Sequence, residues 1–388
     1  MKFNQWTLGL AALGVVSLNS AARAEEKMSA VQAAMSSTTI SGYVDTSAQW
    51  NFGSGNANLP PYSFGGTSKA DGFNLNVVQL SIAKPLEEGQ WSAGYQVDLW
   101  FGPDANTLAT QSPLATGGPS DFTIRQAYVA LRTPVGNGID WKIGVFDTII
   151  GYEVLGSPSN PNFTRANGFT IEPFTHTGIQ AGYKVSDALT LTAAVADTFG
   201  TSINARANPP KAESYKTYMG AFTLTAPDSW GWAKGSSLTA GVVNGFNATA
   251  PAGGIADNQT SWYLGSTLNT PVTGLKVGVA LDYADYHNQP AGAVDNQWVV
   301  GVYASYQATE KLSFHGRGEY FVTDVPGSDT QIWELTATIQ YDLWKNVLSR
   351  LEFRWDHGDD GDLFGGTTTG APDARNATEL IASVTYKF

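Results

Sequence analysis

The last twelve residues, ATELIASVTYKF (Ala377 to Phe388), alternate without a break and end on an aromatic side chain. Thr378, Leu380, Ala382, Val384, Tyr386 and Phe388 share one face, while Ala377, Glu379, Ile381, Ser383, Thr385 and Lys387 share the other. This is the two-residue period of a β-strand, apolar on one side and mostly polar on the other. Two architectures use such a strand. A soluble sandwich would leave it at an edge, where its free N–H and C=O groups need protection. A membrane barrel would use it to close the last strand on the first.

The start of the chain favours the barrel. Lys2 precedes an apolar run from Leu8 to Leu18, followed by the small-x-small site Ala22-Arg23-Ala24, the pattern of a removable secretory leader over residues 1–24. Residues 25–37 then read as a short periplasmic helix or an unstructured lead, and the barrel is expected over 38–388. No later stretch reaches the roughly 18 apolar residues of a transmembrane helix. Charged residues make up only 14% of the chain, against about 25% in ordinary soluble domains. A wall that meets lipid with alternate residues needs this composition. The formal net charge of −12 becomes −14 without the leader, which argues against a nucleic-acid partner. With no Cys, disulfide frameworks and thiolate metal sites are excluded.

From Ile40 onward the two-residue period recurs about sixteen times, with fourteen or eighteen strands as alternatives. The first strand sets Ile40, Val44, Ala48 and Trp50 against Tyr43, Asp45, Ser47 and Gln49. The second (Val78, Leu80, Ile82), fourth (Ala127, Val129, Leu131) and ninth (Leu238, Ala240, Val242) have the shortest apolar faces. A strand of about ten residues tilted by about 40° climbs about 25 Å, the height of a barrel's apolar band. Connections alternate between short turns and long Gly, Asn and Pro-rich stretches, as expected for periplasmic turns and extracellular loops. Trp50, Trp91, Trp141, Trp262, Trp298, Trp333 and Trp355 fall near strand ends on the apolar face, where interfacial girdles sit. The expected fold is therefore an all-β, transmembrane antiparallel barrel in the bacterial outer membrane.

FDTIIGYE (Phe146 to Glu153), SNPNF (Ser159 to Phe163), PFTHTG (Pro173 to Gly178) and GPDA (Gly102 to Ala105) resemble the β-barrel porin-2, or OmpL-like, family of outer-membrane proteins. The YKF ending, with Tyr386 and Phe388, is similar to the aromatic signal that outer-membrane barrels present to the barrel-assembly machinery. The resemblance runs from about Ile40 to Phe388. It implies a Gram-negative porin, a water-filled channel for passive diffusion of small hydrophilic solutes and ions, with no catalytic residues and no cofactor to carry over. Its surroundings would be outer-membrane lipid and lipopolysaccharide, and a homotrimer is an assembly to consider.

The longest family-like stretch, Ile149 to Phe174, is the candidate constriction, with Glu153 and Arg165 in it and Asp147 at its base; the alternative is a loop that caps the outer mouth. Inward positions Arg317, Glu319, Glu334, Arg350, Glu352 and Arg354 form a charged ladder expected to face lumenal water. Asp356, Asp359, Asp360 and Asp362 are a weak candidate for a divalent-ion site, lacking the acidic spacing and final Glu of an EF-hand. Surplus acid is assigned to the outer mouth at Asp71, Asp104, Asp121, Glu153, Glu172, Asp356, Asp359, Asp360, Asp362 and Asp373. With a nearly neutral wall, this points to weak cation preference that fades with salt. Two other readings stand beside the porin: a plugged barrel acting as adhesin or anchor, and a surface hydrolase. The hydrolase has only four His to draw on, with His315 beside Ser313 and His287 near Asp285.

Overall fold

The computed structural model describes residues 37–87, 89–112, 120–207, 215–247, 258–287 and 292–388. The expected leader and residues 25–36 lie outside them. The first strands are β1 (Thr39–Phe52), β2 (Gly72–Lys84), β3 (Ser92–Phe101), β4 (Phe122–Thr133) and β5 (Ile139–Asp147). They are followed by β6 (Thr175–Lys184), β7 (Leu189–Ala196), β8 (Thr217–Thr225), β9 (Ser237–Phe246) and β10 (Asn258–Asn269). The last are β11 (Leu275–His287), β12 (Asn296–Gln307), β13 (Leu312–Asp324), β14 (Thr330–Trp344), β15 (Val347–Gly358) and β16 (Asn376–Lys387). Each pairs antiparallel with its sequence neighbours and β1 pairs with β16, giving a closed barrel of sixteen strands.

Closure falls on the alternating C-terminal stretch. The register runs from Tyr43 opposite Lys387 to Phe52 opposite Thr378. One step further, the Gly42 N–H donates to the Phe388 carbonyl at 2.9 Å, and the Phe388 N–H donates to the Gly42 carbonyl at 3.0 Å. A Cβ at position 42 would lie 2.7 Å from the Phe388 ring and 2.0 Å from the Gln79 carbonyl, so Gly42 leaves the space that the terminal ring occupies.

Side chains alternate across the wall as the period requires. On β11, Val277, Val279 and Leu281 point outward and are exposed, while Ala280, Asp282 and Ala284 are buried inside. Strand-end indoles turn their N–H to polar groups: Trp333 donates to Asp359 at 2.9 Å, Trp355 to Asn376 at 3.0 Å and Trp141 to Thr133 at 3.0 Å.

The three strands with short apolar faces have local explanations. On β2 the register shifts where Asp45 pairs with Val77 and Thr46 with Leu75, so Asn76 is an extra residue. The outward set changes from Phe73 and Leu75 to Val78, Leu80 and Ile82, and both Asn76 and Val77 turn inward and are buried. On β4 the shift between Gln126 and Ile124 leaves Arg125 as the extra residue. Such bulges reverse the alternation beyond them. On β9 the outward series continues into Asn244, whose amide donates to Thr260 at 2.8 Å.

The interior holds two packed apolar clusters. The larger joins wall residues Tyr43, Trp100, Phe146, Met219, Val243 and Tyr303 to Phe64, Ile150, Leu155 and Phe169 from the connections. The smaller gathers Ile171, Val299, Phe321, Ile332 and Phe364.

Because the terminal ring, Gly42 and the last backbone pair act together, deleting Phe388 or introducing Gly42→Leu is expected to reduce barrel assembly sharply. The inward Ser383→Ala serves as the mild control, since Thr385 donates to the buried Asp45 carboxylate at 2.5 Å. Heat-modifiable migration of each variant in membrane fractions measures this, and wild-type levels for the truncated chain would remove the closure argument.

Candidate functional site

The inner faces of β13, β14 and β15 carry the charged ladder. Arg317 and Glu319 alternate on β13, Glu334 on β14 is followed inward by Thr336 and Thr338, and Arg350, Glu352, Arg354 and Asp356 alternate on β15. Outward placement of an Arg at mid-membrane would cost about 2–4 kcal/mol, so the period-two pattern can only aim these groups inside. They do not stand in open water, however. Arg317, Glu319, Glu334, Arg350, Glu352 and Arg354 are all buried, because the connection 148–174 folds into the barrel and lies against them.

A long irregular segment inside a barrel brings backbone N–H and C=O groups that need partners. The ladder supplies them. Arg350 donates to the carbonyls of Ser157 (3.0 Å) and Asn160 (2.5 Å). Glu352 accepts from the N–H groups of Phe163 (2.5 Å) and Thr164 (2.8 Å). Glu319 accepts from Asn167 (2.7 Å) and Gly168 (3.2 Å). Arg354 donates to the Arg165 carbonyl at 2.9 Å while forming a two-point ion pair with Asp356 at 2.8 Å on each side. Arg317 is the hub, donating to Glu153 (2.8 Å), to the Thr164 carbonyl (2.8 Å) and to Glu334 (3.2 Å). The other Glu153 oxygen accepts from the Ala166 N–H at 2.9 Å, and Arg165 turns back to donate to the carbonyls of Phe163 and Leu155. Glu153 and Arg165 therefore brace the inserted loop rather than stand free in an opening.

The outgoing limb of this loop crosses to the far wall before reaching the ladder. Ile150 seats against Gly241 on β9, and the Tyr152 ring stacks on Tyr303 with centroids 4.0 Å apart. A Cβ at Gly278 would come within 1.9 Å of the Tyr152 hydroxyl, so the glycine is the notch that admits this side chain. The returning limb contains the short helix α1 (Asn167–Ile171) and passes Glu172 and Phe174 into β6.

The base of the loop depends on the β4 bulge. Because Arg125 and Gln126 both turn inward, Arg125 pairs with Asp98 at 2.7 Å and with Asp147, while Gln126 donates to Asp98 at 2.9 Å. Arg125 and Asp98 were not among the expected site residues. Their signal is the spacing of three between outward Ile124 and Ala127, which only a bulge can reconcile with a strand. From above, the 53–71 connection adds Tyr62, which donates to Glu379 at 2.7 Å and lies under the Arg354 guanidinium, and Phe64, which packs on Phe169, Phe174 and Trp100.

Four acids assigned to the outer mouth lie elsewhere. Asp356 is within β15, Glu153 and Glu172 are in the lumen, and Asp104 is buried against Lys69. With Asp356 inside and bonded to Arg354, the four-aspartate candidate for a divalent ion is not assembled, and no metal-holding group of three ligands occurs among the described residues. His315 has a serine hydroxyl at each ring nitrogen, Ser305 at 2.9 Å and Ser313 at 3.2 Å. No carboxylate orients its imidazole, as a nucleophilic triad requires.

Part of the space left over lies on the opposite side, and a further cavity of about 350 Å³ is lined by Lys84, Gln96, Tyr128, Asp140 and Lys142. Strands β7 to β10 contain no charged residue on either face, and Thr223 and Thr239 point inward there, their hydroxyls 3.0 Å apart. A cavity of about 280 Å³ lies between these threonines and the two limbs of the loop. A second of about 280 Å³ is lined by Leu108, Phe199, Asn247 and Gln259, and both share Glu172, Pro173 and Phe174. Burial, with Asp282 alongside, raises the pKa of Glu172 well above the usual carboxylate range.

A closed sixteen-strand barrel, apolar outside, with a long loop folded into its lumen is the architecture of outer-membrane porins. The chain belongs to the family described as "Putative beta-barrel porin-2, OmpL-like", whose model matches residues 37–388, and it is an outer-membrane protein. A search of curated proteins finds no sequence match. Among solved structures, it is similar to the anion-selective porin from Comamonas acidovorans, with a TM-score of 0.58 and 16% identity over 91% of this chain and 99% of that one. It is also similar to the outer-membrane channel DcaP of Acinetobacter baumannii, with a TM-score of 0.56 and 14% identity over 90% of this chain and 97% of that one. The trimer form of OmpT from Vibrio cholerae has a TM-score of 0.56 and 12% identity over 90% of this chain and 99% of that one. At these identities the likeness is one of fold.

Arg317→Ala leaves Glu153 and Glu334 buried without their cation, a change that costs about 3–5 kcal/mol. The expected outcome is a barrel that stays closed with its loop undocked, seen as protease cleavage within 149–174 of the folded protein. Gly278→Val, which fills the notch for Tyr152, should detach the outgoing limb and raise single-channel conductance. If conductance is unchanged, Tyr152 does not bound the open space.

Proposed function

We propose that this protein is a general diffusion porin whose passage runs along the uncharged wall of β7 to β10, beside the returning limb of the inserted loop. The observation that carries this reading is the pair of cavities that share Glu172, Pro173 and Phe174 in their walls, one reaching Thr223 and Thr239 and the other Gln259. Small hydrophilic solutes and ions would cross there without chemistry, so no enzymatic step is assigned.

The selectivity we assign is a weak preference for cations. Most ladder charges are spent on the loop, whereas Asp147 keeps about one third of its side chain exposed beside the open space, and Asp71, Asp121, Asp359, Asp360, Asp362 and Asp373 stay exposed in the connections. The Comamonas porin is anion-selective, and the opposite sign is proposed here because the ladder guanidinium groups of Arg317, Arg350 and Arg354 are buried. The field of such acids reaches about 10 Å at 0.1 M salt and about 3 Å at 1 M, so the preference should fade with ionic strength. By analogy with the trimer form of the Vibrio protein, a homotrimer is the assembly we assign. Its insertion would use the Tyr386 and Phe388 ending, presented to the barrel-assembly machinery in a lipopolysaccharide-bearing membrane.

A plugged, structural barrel is favoured by one observation, the packing of Phe64 on Phe169 and Phe174 at the centre of the lumen. Conductance in planar bilayers separates the two readings. The porin should give stepwise ion current, a zero-current potential of cationic sign at low salt, and a lower current in Thr239→Trp at unchanged folding. Absence of current from correctly folded protein would establish the plugged barrel, and anion preference at every salt concentration would overturn the charge assignment.

A further inference from the structure

The cavity of about 350 Å³ falls within the range of small-molecule sites, about 300 to 1,000 Å³. Ala130 on β4, Lys142 on β5 and Gln180 on β6 are cross-strand neighbours at inward positions and form part of its wall. Gln96 on β3 and Tyr128 on β4, also opposite each other, continue that wall, and Pro85 and Leu86 border it from the β2–β3 turn.

Of the three charges in this lining, two have partners. Arg132 donates to both oxygens of Asp140, at 2.6 and 2.7 Å, and Lys84 faces Glu87 at 3.8 Å. Lys142 has no carboxylate within ion-pair distance among the described residues; its Nζ lies 5.0 Å from the centroid of the Tyr128 ring. The more distant charges that act on it, Asp147 and Arg125, are paired with each other. An aromatic face attracts an ammonium group without neutralising it, so Lys142 keeps an uncompensated charge inside the barrel.

A second, independent observation concerns the residue opposite it. The Gln180 Oε1 is buried and has no hydrogen-bond partner, a condition that calls for a donor. Together the two side chains specify a ligand with an anionic oxygen for Lys142 and an O–H or N–H for Gln180. Chloride would satisfy the first and leave the second bare. A zwitterionic amino acid would satisfy both, but it would bring a second ammonium beside Lys142, where the lining carboxylate, Asp140, is already held by Arg132.

We propose that this cavity binds a small hydroxycarboxylate, its carboxylate on Lys142 and one hydroxyl donating to Gln180. As a solute site this rests on the diffusion reading above, but occupancy itself does not require current. Once a carboxylate is seated the lysine is neutralised, so the site does not conflict with the cation preference assigned to the passage.

Isothermal titration of the full mature protein in detergent with sodium gluconate tests it, with sorbitol as the neutral counterpart and hexanoate as the anion without hydroxyls. Saturable binding of gluconate is expected, at least about tenfold tighter than sorbitol, the scale of one charge-assisted hydrogen bond, and about fivefold tighter than hexanoate, the scale of a neutral one. Lys142→Met should abolish the margin over sorbitol and Gln180→Leu the margin over hexanoate. Lys234→Met, which removes a lysine from the β8–β9 connection, should change neither. If Lys142→Met fails to show heat-modifiable migration, Lys142→Gln carries the same test. Equal binding of gluconate and sorbitol, or wild-type affinity in a folded Lys142 variant, would overturn the site, and hexanoate binding as tightly as gluconate would overturn the hydroxycarboxylate assignment. No binding by a protein that conducts ions would overturn the site and leave the porin standing; binding by a protein that conducts nothing would leave the site standing and remove the porin.

Discussion

The interior of this barrel is organised by the need to pair the backbone of the inserted loop. A segment of this length without regular structure carries donors and acceptors along its whole course, and leaving them unpaired in a water-poor space costs several kcal/mol per group. The wall answers with charged side chains at alternate positions of adjacent strands, so that Arg350, Glu352, Arg354 and Glu319 meet successive carbonyls and amides of 157–168. Charge-assisted hydrogen bonds are the stronger kind, and their geometry selects one seating of the loop. The buried ion pairs around Arg317 are better understood as specifying this position than as adding net stability, since desolvation offsets much of their attraction.

From this seating the asymmetry of the lumen follows. One side of the barrel is filled by charges and the loop they hold, while β7 to β10 border part of the remaining space with uncharged side chains. The loop reaches across through two glycine notches, at Gly241 and Gly278, which admit Ile150 and Tyr152. Its base is fixed by a bulge that turns Arg125 inward toward both Asp98 and Asp147. The electrostatics of the lumen are therefore set less by how many charges face inward than by which of them the loop neutralises. Glu172 borders both cavities, its carboxyl held above the usual range by burial and by Asp282 beside it.

The sequence by itself determined the barrel, the place of closure and, outside the bulges, the side each residue faces, and it left the strand number at about sixteen with fourteen or eighteen open. Those properties depend on a strict two-residue period and on the lipid penalty for charge, both local and legible in stretches such as Ala377 to Phe388 or Leu275 to Leu281. Where a bulge broke the period, as at Asn76 and Arg125, the apolar faces looked short, although the spacing of three between Ile124 and Ala127 carried the signal. Tertiary structure alone decided that the ladder is covered, that Asp356, Glu153 and Glu172 lie inside rather than at the mouth, and where space remains. The path of an irregular loop is set by pairing between residues more than 150 positions apart, such as Arg317 with Glu153 or Glu352 with Phe163. No periodicity records such partners, because each is chosen by the register of the closed sheet and by the backbone groups that the loop presents to it.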